Sequence, residues 1–181
     1  MDFVARPPYG GRDPTGTSFS GEGADMRDAA LITAVISTGL MAGLFLAFSI
    51  SVMPALARVE DRAFVEVMQL INIVILNPIF GLVFLGALVS NAVAAWQYAD
   101  QPQVFGWALG GAVGYATTFL ITLAVSAPLN YRLDRAGPAR QLSDPGAARR
   151  AFEKVWVRWH NLRTVANVAA FGCLCIALSN S

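Results

Sequence analysis

"AALITAVISTGLMAGLFLAFSISVMPALA", residues 29 to 57, contains no Asp, Glu, Lys or Arg. A hydrocarbon core about 30 Å thick is crossed by about 20 predominantly apolar residues of helix, and runs of 18 or more are spanning candidates. Three more charge-free runs follow, from Val67 to Ala99, from Gln101 to Tyr131 and from Thr164 to Ser181. Together they predict an all-α polytopic membrane protein, a four-transmembrane-helix bundle with spans at about residues 29–56, 79–98, 104–127 and 163–179. A closed barrel is excluded, because its strands read as alternating segments of about ten residues. Composition agrees. The chain is 55% hydrophobic and 14% charged, with a mean hydropathy of +0.52, whereas about a quarter of the residues of a soluble domain are charged.

The basic residues are unevenly placed. Three precede the first span (Arg6, Arg12, Arg27), two follow it (Arg58, Arg62), and the other eight lie between Arg132 and Arg163. Loops 1–2 and 3–4 share a side, so the tally is ten against three, which predicts cytoplasmic loops and external termini in a cell membrane. No nucleic-acid-binding motif accompanies these residues, so they read as topology determinants. Residues 1–28, rich in Gly and Pro, predict a disordered tail. No separate apolar core or small-residue cleavage site marks a signal peptide there, and Met26 is an alternative start.

Span two requires a break. From Asp61 to Trp96 the pattern is helical, but one helix would extend about 54 Å. Pro78 lacks an amide donor and clashes with the carbonyl of Val74, while Asn77 before it is pushed out of helical geometry. The reading is an extra cytoplasmic-side helix from Arg62 to Leu76, followed by the true span from Ile79 to Tyr98. Glu66, Gln69 and Asn72 form a polar stripe on that extra helix, which must face water, protein or a cavity. Gly39 and Gly43, and then Gly106, Gly110 and Gly114, are spaced for close helix packing, within the bundle or between two copies. Cys173 and Cys175 stand two apart, where helical side chains do not face each other, and read as small packing residues.

Span three is expected to end at Pro128, with Asn130 at its cytoplasmic mouth, and Ser143 and Asp144 are cap candidates for a last helix starting near Ala147. That helix carries "RAFEKVWVRWHNLRTVANVAAFG", residues 150 to 172, with the only histidine of the chain. Trp156, then Trp159 or His160, then Arg163 and Asn167 recur every three or four residues and fall along one side. The intramembrane polar residues are thereby gathered at one end of the bundle. Each has a structural alternative: tryptophans anchor at interfaces, an arginine snorkels, and asparagines join helices. Convergence favours a site, because polar groups at bilayer depth are costly and mark function. A lone histidine leaves too few ligands for a zinc or bis-histidine haem centre. No phosphate loop follows a strand, and no internal repeat suggests a secondary transporter.

Four stretches, "VMPAL" (Val52 to Leu56), "MQLINIVILNP" (Met68 to Pro78), "PLN" (Pro128 to Asn130) and "FEKVWVRWHNLRT" (Phe152 to Thr164), resemble the anthrone oxygenase-like family of small four-helix membrane proteins, over roughly Leu31 to Leu178. The resemblance implies an oxygenase acting with O2 on an apolar aromatic, anthrone-like substrate. It requires no metal or flavin cofactor, because a deprotonated anthrone is electron-rich enough to react with O2 directly. The protein must remove a proton, stabilise an oxyanion and exclude water. His160 is the side chain whose ordinary pKa suits a base near neutrality. Arg163, Asn130 and Asn161 are candidates to stabilise the oxygen, and Trp156 and Trp159 to form an aromatic slot. Gln69, Asn72 and Asn77 are further substrate-binding candidates.

A second reading stays open. In it the chain is a non-catalytic small membrane subunit or a lipid- or quinone-binding module of a larger complex, and the same cluster fixes helix packing. Under either reading the chain can form a homo-oligomer or associate with a membrane complex. The partners expected are the membrane and an apolar small molecule, not nucleic acid.

Overall fold

The computed structural model describes residues 19–181. Among them are five helices and no strand: a bundle of four long apolar helices able to cross a membrane, with a shorter fifth at one end. Helix α1 covers Phe19–Ala47 and continues through a π turn, Phe48–Val52, into Met53–Leu56. Helix α2 is Asp61–Val74 and α3 is Pro78–Gln97. Helix α4 covers Pro102–Ile121 and continues through a second π turn, Thr122–Ser126, into Ala127–Arg135. After a short 3-10 turn at Ala139–Gln141, α5 runs Pro145–Ser179.

The expected tail at residues 1–28 lies outside the described residues through residue 18, and α1 takes in the remainder. Its charged end is tied down: Arg27 pairs with Asp100 at 3.1 Å, and the Tyr98 hydroxyl donates to Asp28 at 2.7 Å. These contacts fasten α1 to the connection between α3 and α4.

The break before span two is present. Asn77 is extended (φ −105°, ψ 160°) and caps both sides of it. Its Oδ1 accepts from the Phe80 amide at 3.0 Å, and its Nδ2 donates to the Val74 carbonyl at 3.0 Å. Pro78 then occupies the first turn of α3, where no amide donor is required.

Span three departs from expectation. Pro128 does not end it; the helix continues to Arg135. A proline clashes with the carbonyl four residues back, and a π turn, bonded five residues back, relieves that register. The Ala127 amide accordingly donates to Thr122 O, and the Met53 amide, just before Pro54, donates to Phe48 O. Both π turns lie at the same end of the bundle as α2.

Helix α2 docks there by both of its faces. Phe64, Val65 and Met68 pack with Phe152, Trp156 and Leu133. Gln69 donates at 3.0 Å to the carbonyls of Leu133 and Gly137, and Glu66 pairs with Arg140 at 3.1 Å. Leu70, Ile73 and Val74 stay exposed, as suits an interfacial helix lying against lipid. The polar stripe therefore faces protein for most of its length.

Glycines set the α4–α5 contact. A Cβ on Gly114 would lie 2.9 Å from Ala170 Cβ and 3.1 Å from the Ala166 carbonyl oxygen, whereas Gly106 has nothing within 4 Å. Gly114→Val is expected to destabilise the bundle by about 1–3 kcal/mol through overpacking, and Gly106→Val to leave it unchanged. Thermal unfolding of both variants in one detergent checks this. Equal shifts would mean that the contact is not what Gly114 protects.

Candidate functional site

The stripe on α5 is realised with one choice made. Trp156, His160, Arg163 and Asn167 are buried at intervals of four, three and four residues, while Trp159 and Asn161 are exposed. On a helix Trp159 and His160 diverge by about 100°, and the bundle buries the histidine.

Both His160 nitrogens are engaged. Nε2–H donates to the Phe45 carbonyl at 3.0 Å, and Nδ1 accepts from Arg163 Nη2 at 2.9 Å and Nε at 3.2 Å. A guanidinium only donates, so Nδ1 carries the lone pair. Trp156 stacks on the imidazole with centroids 4.6 Å apart and planes 7° apart. The indole Nε1–H donates to Asn130 Oδ1 at 2.8 Å, which fixes the ring. Thr164 Oγ1 donates to the His160 carbonyl at 2.8 Å and meets Ser49 Oγ, in the π turn of α1, at 3.2 Å.

Arg163 is 7% exposed. Besides His160 it donates from Nη1 to Thr122 Oγ1 at 3.0 Å, and its guanidinium lies 4.4 Å from the Phe45 ring centroid. Among the described residues no carboxylate pairs with it. A buried cation without a counter-ion is costly, and the aromatic faces offset only part of that cost.

These groups open on one cavity of about 120 Å³, where a single water requires about 10–15 Å³. It lies between Phe45 and Phe48 of α1, Ile71, Asn72 and Ile75 of α2 and its end, Phe80 of α3, Thr122, Ser126 and Asn130 of α4, and Trp156, His160 and Arg163 of α5. Apolar walls with a few convergent polar groups are the usual make-up of a small-molecule site. Leu76, in the break between α2 and α3, lines it while largely exposed, so the cavity borders the lipid-facing surface.

Of the residues anticipated from sequence, Asn72, Asn130, Trp156, His160 and Arg163 come together at this cavity. The other four do not. Trp159 and Asn161 turn outward, Gln69 is spent on joining α2 to the end of α4, and Asn77 caps the helix break. Asn72 Nδ2 itself donates to Asp134 Oδ1 at 3.1 Å. The aromatic wall is thus Trp156 with Phe45, Phe48 and Phe80, in place of a pair of tryptophans. These phenylalanines carry no signal within uniformly apolar spans. Thr122, Ser126 and Asn130, spaced by four, do carry one, the helical repeat of a polar row.

Comparison with the curated proteins and with the solved structures gives no significant match. A family model described as anthrone oxygenase matches residues 68–173, more than half of the chain, from α2 through the buried stripe of α5. A helical membrane bundle whose π turns, broken second span and α5 cluster close on one apolar cavity, matched over that length, belongs to the anthrone oxygenase family.

Proposed function

We propose that the protein is a membrane-embedded oxygenase that acts with O2 on an apolar, anthrone-like aromatic held in this cavity. The observation that carries the reading is Arg163, a buried guanidinium without a carboxylate partner at the cavity wall. An anionic ligand oxygen would supply the missing charge, and a preorganised donor of this kind stabilises an enolate-type oxygen.

The roles follow from the hydrogen bonds. A ligand oxygen drawn onto Arg163 competes for the donors now held by His160 Nδ1, freeing that lone pair to take a proton from the activated CH2 carbon. The ring anion passes its electrons to O2, a C–O bond forms, the peroxide takes back the proton held by His160, and loss of water from the hydroperoxide leaves the ketone. One anthrone and one O2 thus give one anthraquinone and one water. Trp156 and the phenylalanines keep bulk water from the anion. An apolar substrate partitions into the bilayer and meets the cavity at its lipid-facing edge.

The test is O2 uptake with anthrone by protein in nanodiscs, against an autoxidation blank. Uptake equal to the blank sinks the proposal. The saturation of both His160 nitrogens favours a second reading, a quinone- or lipid-binding module in which the cluster holds helices together. Tight anthraquinone binding without turnover would select it.

We propose cytoplasmic loops 1–2 and 3–4 and external termini, supported by the ten-to-three distribution of basic residues. Ser143→Cys is then shielded from an impermeant thiol reagent in intact cells, and Ser181→Cys reacts. The opposite labelling pattern overturns this topology.

A further inference from the structure

Four described side chains bury polar atoms with no hydrogen-bond partner: Asn91, Gln97, Ser126 and Asn167. Ser126 alone of these lines the cavity, and it is 3% exposed. Its isolation has a cause in the backbone. Thr117, Thr118 and Thr122 each donate to the carbonyl four residues earlier, at 2.8, 3.2 and 2.9 Å. For Ser126 that acceptor would be Thr122 O, but in the π turn this carbonyl bonds the Ala127 amide, and the Ser126 hydroxyl does not share it as Thr122 shares Thr118 O with its own amide. The hydroxyl is left without the partner that a helical serine ordinarily finds.

Its neighbours in the polar row are engaged. Thr122 Oγ1 accepts from Arg163, and Asn130 Oδ1 accepts from Trp156. Four residues of helix rise about 6 Å, so Ser126 stands about one turn from the Thr122–Arg163 contact. Buried polar groups are nearly always satisfied, and the exceptions call for a ligand or a water.

We infer that Ser126 determines specificity by hydrogen-bonding a second oxygen of the aromatic ligand, a phenolic hydroxyl or ring carbonyl about one helical turn from the oxygen held by Arg163. The ligand class narrows from a bare polycycle to one oxygenated at two separated positions. This rests on the reading of the cavity as an aromatic-ligand site.

Two probes that do not turn over, anthraquinone and 2-hydroxyanthraquinone, test it by quenching of tryptophan fluorescence in nanodiscs, at a pH where the phenol is protonated. The protein is expected to bind the hydroxylated probe about five- to tenfold more tightly, the effect of one hydrogen bond. Ser126→Ala is expected to bring that ratio to about one, and Ser126→Thr to keep it. Equal affinities in the unaltered protein would mean that an ordered water satisfies the hydroxyl, and a preference surviving Ser126→Ala would place the contact elsewhere. Either result overturns the inference while leaving the aromatic site standing. Binding of neither probe overturns both.

Discussion

His160→Gln is expected to lower O2 uptake with anthrone by about a hundred- to ten-thousandfold, the usual range for a lost general base, with folded yield and melting temperature nearly unchanged. The choice of glutamine follows from the geometry. Its amide NH2 can donate to the Phe45 carbonyl as Nε2–H does, and its carbonyl can accept from Arg163 as Nδ1 does. The scaffold bonds survive, and only the basic nitrogen disappears. His160→Leu is the contrast. It strands the Phe45 carbonyl and the Arg163 donors in a buried site, and each unsatisfied group costs about 1–3 kcal/mol. If His160→Gln keeps full turnover, the imidazole positions Arg163 and is not the base. If it unfolds the protein as His160→Leu does, the residue is structural.

Arg163→Met separates function from stability by sign. Removing an oxyanion donor costs about a hundred- to a thousandfold in rate, so turnover is expected to fall by at least that factor. Stability is expected to hold or rise, because the cost of burying a cation without a counter-ion is removed. The losses on the other side are the bonds to His160 Nδ1 and Thr122 Oγ1. The measurements are O2 uptake and thermal unfolding in the same nanodiscs. A large fall in melting temperature together with normal uptake would make Arg163 a helix-packing residue and remove the main support for the proposed chemistry. Arg163→Lys keeps the charge but loses the planar fork that reaches His160 and Thr122 together, so it is expected to lower turnover as well.

The gap between expectation and structure at the helix ends has one physical source. Proline is a local signal whose outcome depends on what the neighbouring backbone can do. At Pro78 the chain leaves helical geometry, and Asn77 caps the two ends so created. At Pro54 and Pro128 the helix instead widens by one residue and continues. Of the three, only Pro78 follows an asparagine, whose side chain can cap the ends of a broken helix. The two π turns matter for the site, since one places Ser49 and Phe48 beside α5 and the other leaves the Ser126 hydroxyl free.

Charge-free runs of 18 or more residues were enough to establish four membrane-crossing helices and all-α architecture, because exclusion of charge from hydrocarbon acts on each residue without reference to the others. The broken second span was legible for a similar local reason, its length against the bilayer. The polar stripe of α5 was also legible, since helical periodicity places Trp156, Arg163 and Asn167 on one side whatever they pack against. Direction was not. Whether His160 or Trp159 turned inward, whether Gln69 and Asn77 met a ligand or the backbone, and which of many phenylalanines walled the cavity depended on how α1, α2 and α4 pack around α5. Those choices rest on contacts between residues up to 115 positions apart, as between His160 and the Phe45 carbonyl, where no local pattern reaches.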